Sequence, residues 1–226
     1  MNQDRFILEL SKLNINITSL QLQQLERYYE LLIEYNKVMN LTGITDKEDV
    51  YLKHFYDSLT ITKVIDLNKY NTLCDVGTGA GFPGLVIKIL YPHLKITLLD
   101  SLNKRLNFLN VVIKKLNLKD IETVHTRVED YKKQFDIVVA RAVAPLNILL
   151  EYCIPITKVN GYFIAMKGKN EEADNALLKL NSEIIETNLF LLPIEQSNRT
   201  IIKIKKIKET DKKYPRIYSE IKKNPL

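Results

Sequence analysis

Four of the chain's seven glycines, Gly77, Gly79, Gly81 and Gly84, fall within eight consecutive positions of the segment DVGTGAGFPG. Glycines so placed let a chain turn sharply off a strand, and they let a ligand approach bare amides beside the partly positive start of a helix. A nucleoside-triphosphate loop would end in Gly-Lys-Ser/Thr, but Leu85 and Val86 follow Gly84, which argues against triphosphate hydrolysis. A dinucleotide loop has the spacing G-x-G-x-x-G, whereas here G-x-G-x-G follows an acid, Asp75. The acid-led variant suits S-adenosylmethionine, which brings an amino acid and a sulfonium to this point instead of a pyrophosphate. A tight turn that binds nothing is the alternative. Asp100 closes the next apolar run, KITLLD, 25 residues beyond Asp75. There a carboxylate can accept from both ribose hydroxyls, although Ser101 and a helical pattern follow, so capping that helix is the competing role.

Three cations also end apolar runs: Arg127 follows IETVH, Arg141 ends FDIVVAR and Lys167 ends GYFIAMK. Ligands of open α/β sheets bind beyond the carboxyl ends of the strands, so these three are expected to face one cleft. A basic rim suits a polyanionic substrate, and arginine can grip a guanine edge or a carboxylate with two parallel hydrogen bonds. Solvated loop charges are the bland reading of each. His54, in LKHFYDSL, reads first as a structural hydrogen-bonding residue and second as a proton carrier. His93 and His125 have no company suited to a metal, and Cys74 and Cys153 form neither a CxxC pair nor a disulfide framework, so no metal site is expected. No G-x-S-x-G elbow or reactive cysteine setting points to nucleophilic catalysis.

The elements that must hold these residues change character near Asn71. Before it, Thr18-x-x-Gln21 opens a helix whose Leu22, Leu25, Tyr28, Tyr29, Leu32 and Tyr35 recur on one face. A second amphipathic stretch runs from Asp46 through VYLKHFYDSLTITKVI. After it, TLCDV, KITLLD, IETVH, FDIVVAR and GYFIAMK alternate with helical patterns over 83–91, 102–117, 145–157 and 171–186. That alternation predicts an α/β fold with a mostly parallel sheet covered on both faces. NLFLLPI and RTIIKIKKI are separated by only a few turn formers, too few for a helical crossover, and are therefore expected to pair antiparallel. The seven runs give a seven-stranded sheet with one antiparallel strand. The expected division is a helical segment over 1–66 packed on the core, then one domain over 67–226.

The chain has 226 residues, 46% hydrophobic and 27% charged, with a net charge of +6. This supports a folded core, and no apolar run approaches the roughly 18 residues of a membrane span. MNQDRFILEL carries an acid and no small-residue cleavage site, unlike a secretory signal, so a reducing cytoplasm is the expected location. Residues 199–226 hold ten basic and three acidic side chains. They suit salt-sensitive phosphate contacts or, since IIKIKKI alternates, a half-buried strand with a solvated face.

The succession NLTGITD, KHFYDSL, DVGTGAGFPGL, LLDSLNKRLNFL, TRVED, FDIVVARAVAPL and MKGKN, in order over about residues 36–170, resembles the ribosomal RNA small subunit methyltransferase G family (RsmG, formerly glucose-inhibited division protein B). The resemblance implies a class I, Rossmann-like methyltransferase domain behind an N-terminal helical segment. It implies transfer of a methyl group from S-adenosylmethionine to N-7 of a guanosine, position 527, in 16S ribosomal RNA. Carried over by motif, Gly77, Phe82, Val128, Glu129 and Arg141 would contact the cofactor, joining Gly79 and Asp100. His54, Lys104, Arg127 and Lys167 match positions associated with RNA handling or activity, with Arg141, Lys167, Arg127 and His54 the expected catalytic set and Arg141 and Lys167 expected to orient and hold the target base. The ending RIYSEIKKNPL departs from the glycine- and proline-containing lysine stretch common in the family. Guanine N-7 carries a free lone pair, so its methylation requires no general base. The chain accordingly lacks the N/D-P-P-Y/F motif used on exocyclic amines. The expected partner is 16S ribosomal RNA or the small subunit, with the protein a monomer. The competing functions are a small-molecule methyltransferase and a non-catalytic RNA-binding assembly factor on the same fold.

Overall fold

The computed structural model describes residues 1–169, 171 and 173–226; Asn170, which closes the MKGKN segment, lies outside the described residues. Two helices open the chain, α1 (Gln3–Lys12) and α2 (Ser19–Met39). The start of α2 is the expected reciprocal cap, with Thr18 Oγ1 accepting from the Gln21 amide and the Gln21 side chain from the Thr18 amide. The second amphipathic stretch is less regular than its periodicity suggests. Short α3 (Lys47–Val50) passes into a π-helical segment over Tyr51–Tyr56 and then α4 (Asp57–Leu59). A π turn shifts the phase of the side chains that follow it, a device common at functional sites.

The sheet has strands β1 (Thr72–Val76), β2 (Lys95–Asp100), β3 (Ile121–His125), β4 (Phe135–Arg141), β5 (Thr157–Lys167), β6 (Ser182–Leu191) and β7 (Asn198–Lys206), in the order β3-β2-β1-β4-β5-β7-β6. The first five are parallel, and β7 runs antiparallel to both β5 and β6. The inner strands β1, β2 and β4 are buried along almost their whole length, as continuous apolar runs covered on both faces must be. After β1 the chain winds outward to β2 and β3, then returns to place β4 on the other side of β1. That reversal opens a crevice beyond the carboxyl ends of β1 and β4.

Helices α5 (Gly84–Leu90) and α6 (Asn103–Lys115) cover one face, and α7 (Leu146–Cys153), α8 (Asp174–Lys179) and α9 (Tyr218–Lys223) the other. Leu25, Tyr28 and Phe55 of the opening helices lie in the same apolar cluster as Leu85, Phe108 and Ile164. One expectation fails: the helix predicted over 171–186 is only the six residues of α8, and β6 begins at Ser182. Asn181 adopts a left-handed φ of 54°, which stops the helix, and SEIIETNLFL then pairs with β7. The helix predicted over 145–157 likewise ends at Cys153, because β5 starts at Thr157 to pair with Phe135.

Candidate active site

The glycine turn is held from below by Asp75. Its Oδ2 accepts from Thr78 Oγ1 at 2.7 Å and from the Gly84 amide at 2.8 Å, closing the loop and capping α5. Oδ1 is buried without a partner, and burial, working against those two hydrogen bonds, pushes the carboxyl up to about 6. The amides of Gly77 and Thr78 donate to Leu99 O, tying the turn to the end of β2. Gly77 has φ +67°, and a Cβ there would meet Val143 at 2.8 Å, so glycine is required both for conformation and for space. Asp100 ties the glycine turn to the segment that leads into α6. Its Oδ1 accepts from the amide of Leu102 at the start of α6, while its Oδ2 accepts from the Gly79 amide at 2.9 Å and from Arg105 Nη1 at 3.3 Å.

Two cavities adjoin across this turn. The first, about 530 Å³, is lined by Asp100, Val128, Glu129, Ile148 and Tyr218, among others. The Oε1 of Glu129 is buried there without a hydrogen bond. The second, about 500 Å³, is lined by His54, Phe82, Arg141, Lys167 and Arg199. Gly77, Arg105 and Ala142 border both.

In the second cavity Arg141 is pinned on three sides. Nη1 donates to Asp57 Oδ2 at 3.0 Å and to Lys53 O at 3.1 Å, Nη2 lies 3.4 Å from His54 Nδ1, and the guanidinium sits over the Phe82 ring. Asp57 Oδ1 accepts from Arg199 Nε at 3.0 Å, so one buried carboxylate orients two arginines from different strands. The His54 ring stacks on Phe82 with centroids 4.3 Å apart. Because a guanidinium only donates, His54 Nδ1 is the acceptor and Nε2–H donates to Thr42 Oγ1 at 2.8 Å. Burial first, and the Arg141 charge second, lower its pKa to about 3. The fold thus holds His54 as a neutral packing and hydrogen-bonding residue.

Lys167 Nζ donates to Ala144 O at 2.6 Å and pairs with Glu171 at 2.9 Å, while Glu171 accepts from the Leu146 amide, so these two side chains secure the turn between β4 and α7. The expectation that Arg127, Arg141 and Lys167 face one cleft holds for the last two only. Arg127 belongs to the first cavity, where its guanidinium rests on the Tyr218 ring and lies 3.6 Å from Glu129. Lys104 is exposed in the first turn of α6 and borders neither cavity. Its neighbour Arg105 borders both, because successive helical residues point about a quarter-turn or more apart. Sequence reasoning also passed over Asp57, although it stands in the KHFYDSL segment, and Arg199, which opens β7. The basic ending is partly engaged: Lys203 Nζ donates to Val64 O, Lys206 is fully buried and Arg216 is paired with Glu151.

The first cavity fits S-adenosylmethionine. Glu129 Oε1, buried there without a hydrogen bond and only at ion-pair distance from Arg127, calls for an N–H donor of the kind that molecule's ammonium and exocyclic amine supply. Asp100 keeps acceptor capacity for ribose hydroxyls, and Val128 and Ile148 supply apolar walls for a purine.

Strand order, glycine turn and acid at the end of β2 together define a class I S-adenosylmethionine-dependent methyltransferase. Solved structures of similar fold include an S-adenosylmethionine-dependent methyltransferase from Aquifex aeolicus (TM-score 0.52, 18% identity, covering 70% of this chain and 93% of that one). Another is the pyocyanin biosynthetic protein PhzM (TM-score 0.57, 14% identity, covering 76% and 61%). Residues 21–202 match the family described as rRNA small subunit methyltransferase G. Relatives bearing the name ribosomal RNA small subunit methyltransferase G include those of Exiguobacterium sibiricum, 46% identical over 100% of both chains, and Bacillus thuringiensis strain Al Hakam, 49% identical over 96% of this chain and 95% of that one. The chain belongs to the ribosomal RNA small subunit methyltransferase G family, and its cofactor is S-adenosylmethionine.

Proposed function

We propose that the two cavities act together to methylate N-7 of a guanosine in 16S ribosomal RNA, position 527, the first cavity holding the cofactor and the second receiving the base. The observation that carries this reading is their adjacency across Gly77, Arg105 and Ala142, a chamber that holds Asp100 and Glu129 opening onto one rimmed by Arg141, Lys167 and Arg199. When bound, S-adenosylmethionine supplies an electrophilic methyl group on its sulfonium. The chain's own task is placement. Guanine N-7 presents a lone pair, so no proton has to be removed first, in keeping with a neutral His54 whose ring nitrogens are both engaged. Arg141 and Arg199, aligned by Asp57, are suited to the purine edge or its phosphates, and fixing the lone pair at attack distance is worth roughly 7–11 kcal/mol in favourable cases. Gly77, Asp100, Val128 and Glu129 serve the cofactor, Gly79 steadies Asp100 through its amide, and Phe82 forms the floor under His54 and Arg141. Lys167 acts by holding the turn that separates the cavities, and Arg127 by bracing the cofactor side. A base taken from folded RNA must leave its stack, at a cost of a few kcal/mol that contacts to the cationic rim offset.

With ribosomal RNA as partner the enzyme works in the cytoplasm, and one chain supplies both cavities, which supports a monomer. Among the described residues no helix is long and apolar enough to cross a membrane. The test is transfer of labelled methyl to small-subunit RNA lacking this modification, offered as naked RNA, assembly intermediate and mature subunit, with the position mapped by base-specific cleavage. Label at N-7 of the one guanosine is expected; a folded, cofactor-binding protein that labels none of the three forms overturns the assignment.

A further inference from the structure

The outer wall of the cofactor cavity comes from the chain's last residues, beyond the span 21–202 matched to the family. Tyr218 and Lys222, one helical turn apart on α9, both line that cavity. The segment is anchored on either side of Tyr218. Arg216 binds the fully buried Glu151 of α7 through Nε at 2.8 Å and Nη2 at 2.6 Å, its amide donates to the same carboxylate at 3.0 Å, and Ile221 is fully buried against α7. Between those anchors Tyr218 stays 43% exposed. Its position is set by cations: the Arg127 guanidinium lies 4.6 Å from its centroid and Lys222 Nζ 5.9 Å. A large aromatic ring so firmly placed, yet left half-bare at a cavity mouth, is a stacking surface waiting for a flat apolar partner.

We propose that Tyr218 is a binding residue for the nucleoside half of S-adenosylmethionine, with Tyr214–Leu226 a fixed outer wall of the cofactor cavity and Arg127 the positioning residue of that ring. This rests on the assignment of the first cavity to the cofactor. It also accounts for Arg127 standing apart from Arg141 and Lys167, since its partner is an aromatic ring of the chain's end.

The chain contains no tryptophan, so Tyr218→Trp introduces a single indole reporter without touching Arg216, Glu151 or Ile221. Titration with S-adenosylhomocysteine, which cannot react, is expected to change its emission saturably, over the same concentrations at which calorimetry detects binding to the unmodified protein. By calorimetry Tyr218→Ala is expected to bind about tenfold more weakly, the scale found for base–aromatic stacking. Tyr218→Phe should bind within about twofold of the parent. Arg127→Ala should weaken binding in the parent and add nothing in the Tyr218→Ala background. Unchanged indole emission, or unchanged affinity in Tyr218→Ala while the parent binds, overturns the proposal. Failure of the parent itself to bind S-adenosylhomocysteine overturns instead the cofactor assignment on which it rests.

Discussion

Asp57 is only 6% exposed, and the two guanidiniums that its carboxylate orients come from β4 and β7. An arginine freed from such a partner keeps its charge and loses its aim, and a misplacement of about 1 Å can cost on the order of a hundredfold in rate. Asp57→Asn is therefore expected to lower kcat/KM for the RNA substrate by roughly 100-fold while leaving the affinity for S-adenosylhomocysteine, which occupies the other cavity, within about twofold. Asp57→Glu should restore part of the loss. Steady-state kinetics beside calorimetry would check this, and equal losses on both substrates would place Asp57 in general stability instead. The sequence displayed Arg141 and Lys167 by their position at strand ends, and missed Asp57 because an aspartate beside a histidine in a helical stretch has many ordinary uses. Lys104 and Arg105 differ in exposure only through the phase of α6, which periodicity alone does not settle to the residue.

The glycine turn between β1 and α5 depends on packing from the opening helices as much as on its own residues. The Tyr28 hydroxyl, on α2, donates to Ala80 O, and the Tyr28 ring packs against both Phe55 and Phe82. Gly81 has φ +103°, and a Cβ there would come within 2.5 Å of that hydroxyl and 2.8 Å of Leu85. Gly81→Ala combines backbone strain with overpacking and is expected to destabilise by about 2–4 kcal/mol. Gly43→Ala, with nothing within 4 Å of the new methyl, should shift stability by no more than about 0.5 kcal/mol. Denaturant midpoints measure both, and an unperturbed Gly81→Ala would mean that α2 does not clamp the turn. Five strands and the final hairpin could be read from apolar runs and turn residues. The π-helical segment before Asp57 could not, since its residues follow the same apolar pattern as an ordinary helix.

One apolar cluster spans the opening helices and the sheet, so unfolding either exposes His54. The sign of its pH effect follows from linkage. In the unfolded chain histidine gains its proton near the ordinary 6.5, whereas in the fold the lowered value of about 3 keeps it neutral, so the unfolded state binds more protons between these limits. Stability from this group is thus lost as pH falls below about 6.5, the loss being complete near 3. Relative to His54→Gln, which does not titrate, the parent should lose up to about 2 kcal/mol between roughly pH 7 and pH 5. Urea melts of the two proteins at several pH values would show the gap narrowing with acid, and a constant gap would mean that His54 titrates in the fold as it does in the unfolded chain. Asp75 runs the other way: its raised value, about 6, costs stability as pH rises from about 4 to 6. The difference between the two proteins at each pH cancels that contribution.

The strands themselves, the glycine turn, the acid ending β2 and the cations ending β4 and β5 were already legible along the chain, because each depends on residue type, local periodicity and a turn a few residues long. Where the two cavities lie, and which cation serves which, depended on contacts between distant segments. Asp57 meets Arg141 across 84 positions and Arg199 across 142. Arg127 is drawn aside by Tyr218 from the far end of the chain. Such meetings are set by sheet register, helix phase and the packing of covering layers on both faces, quantities that arise only when the whole core closes.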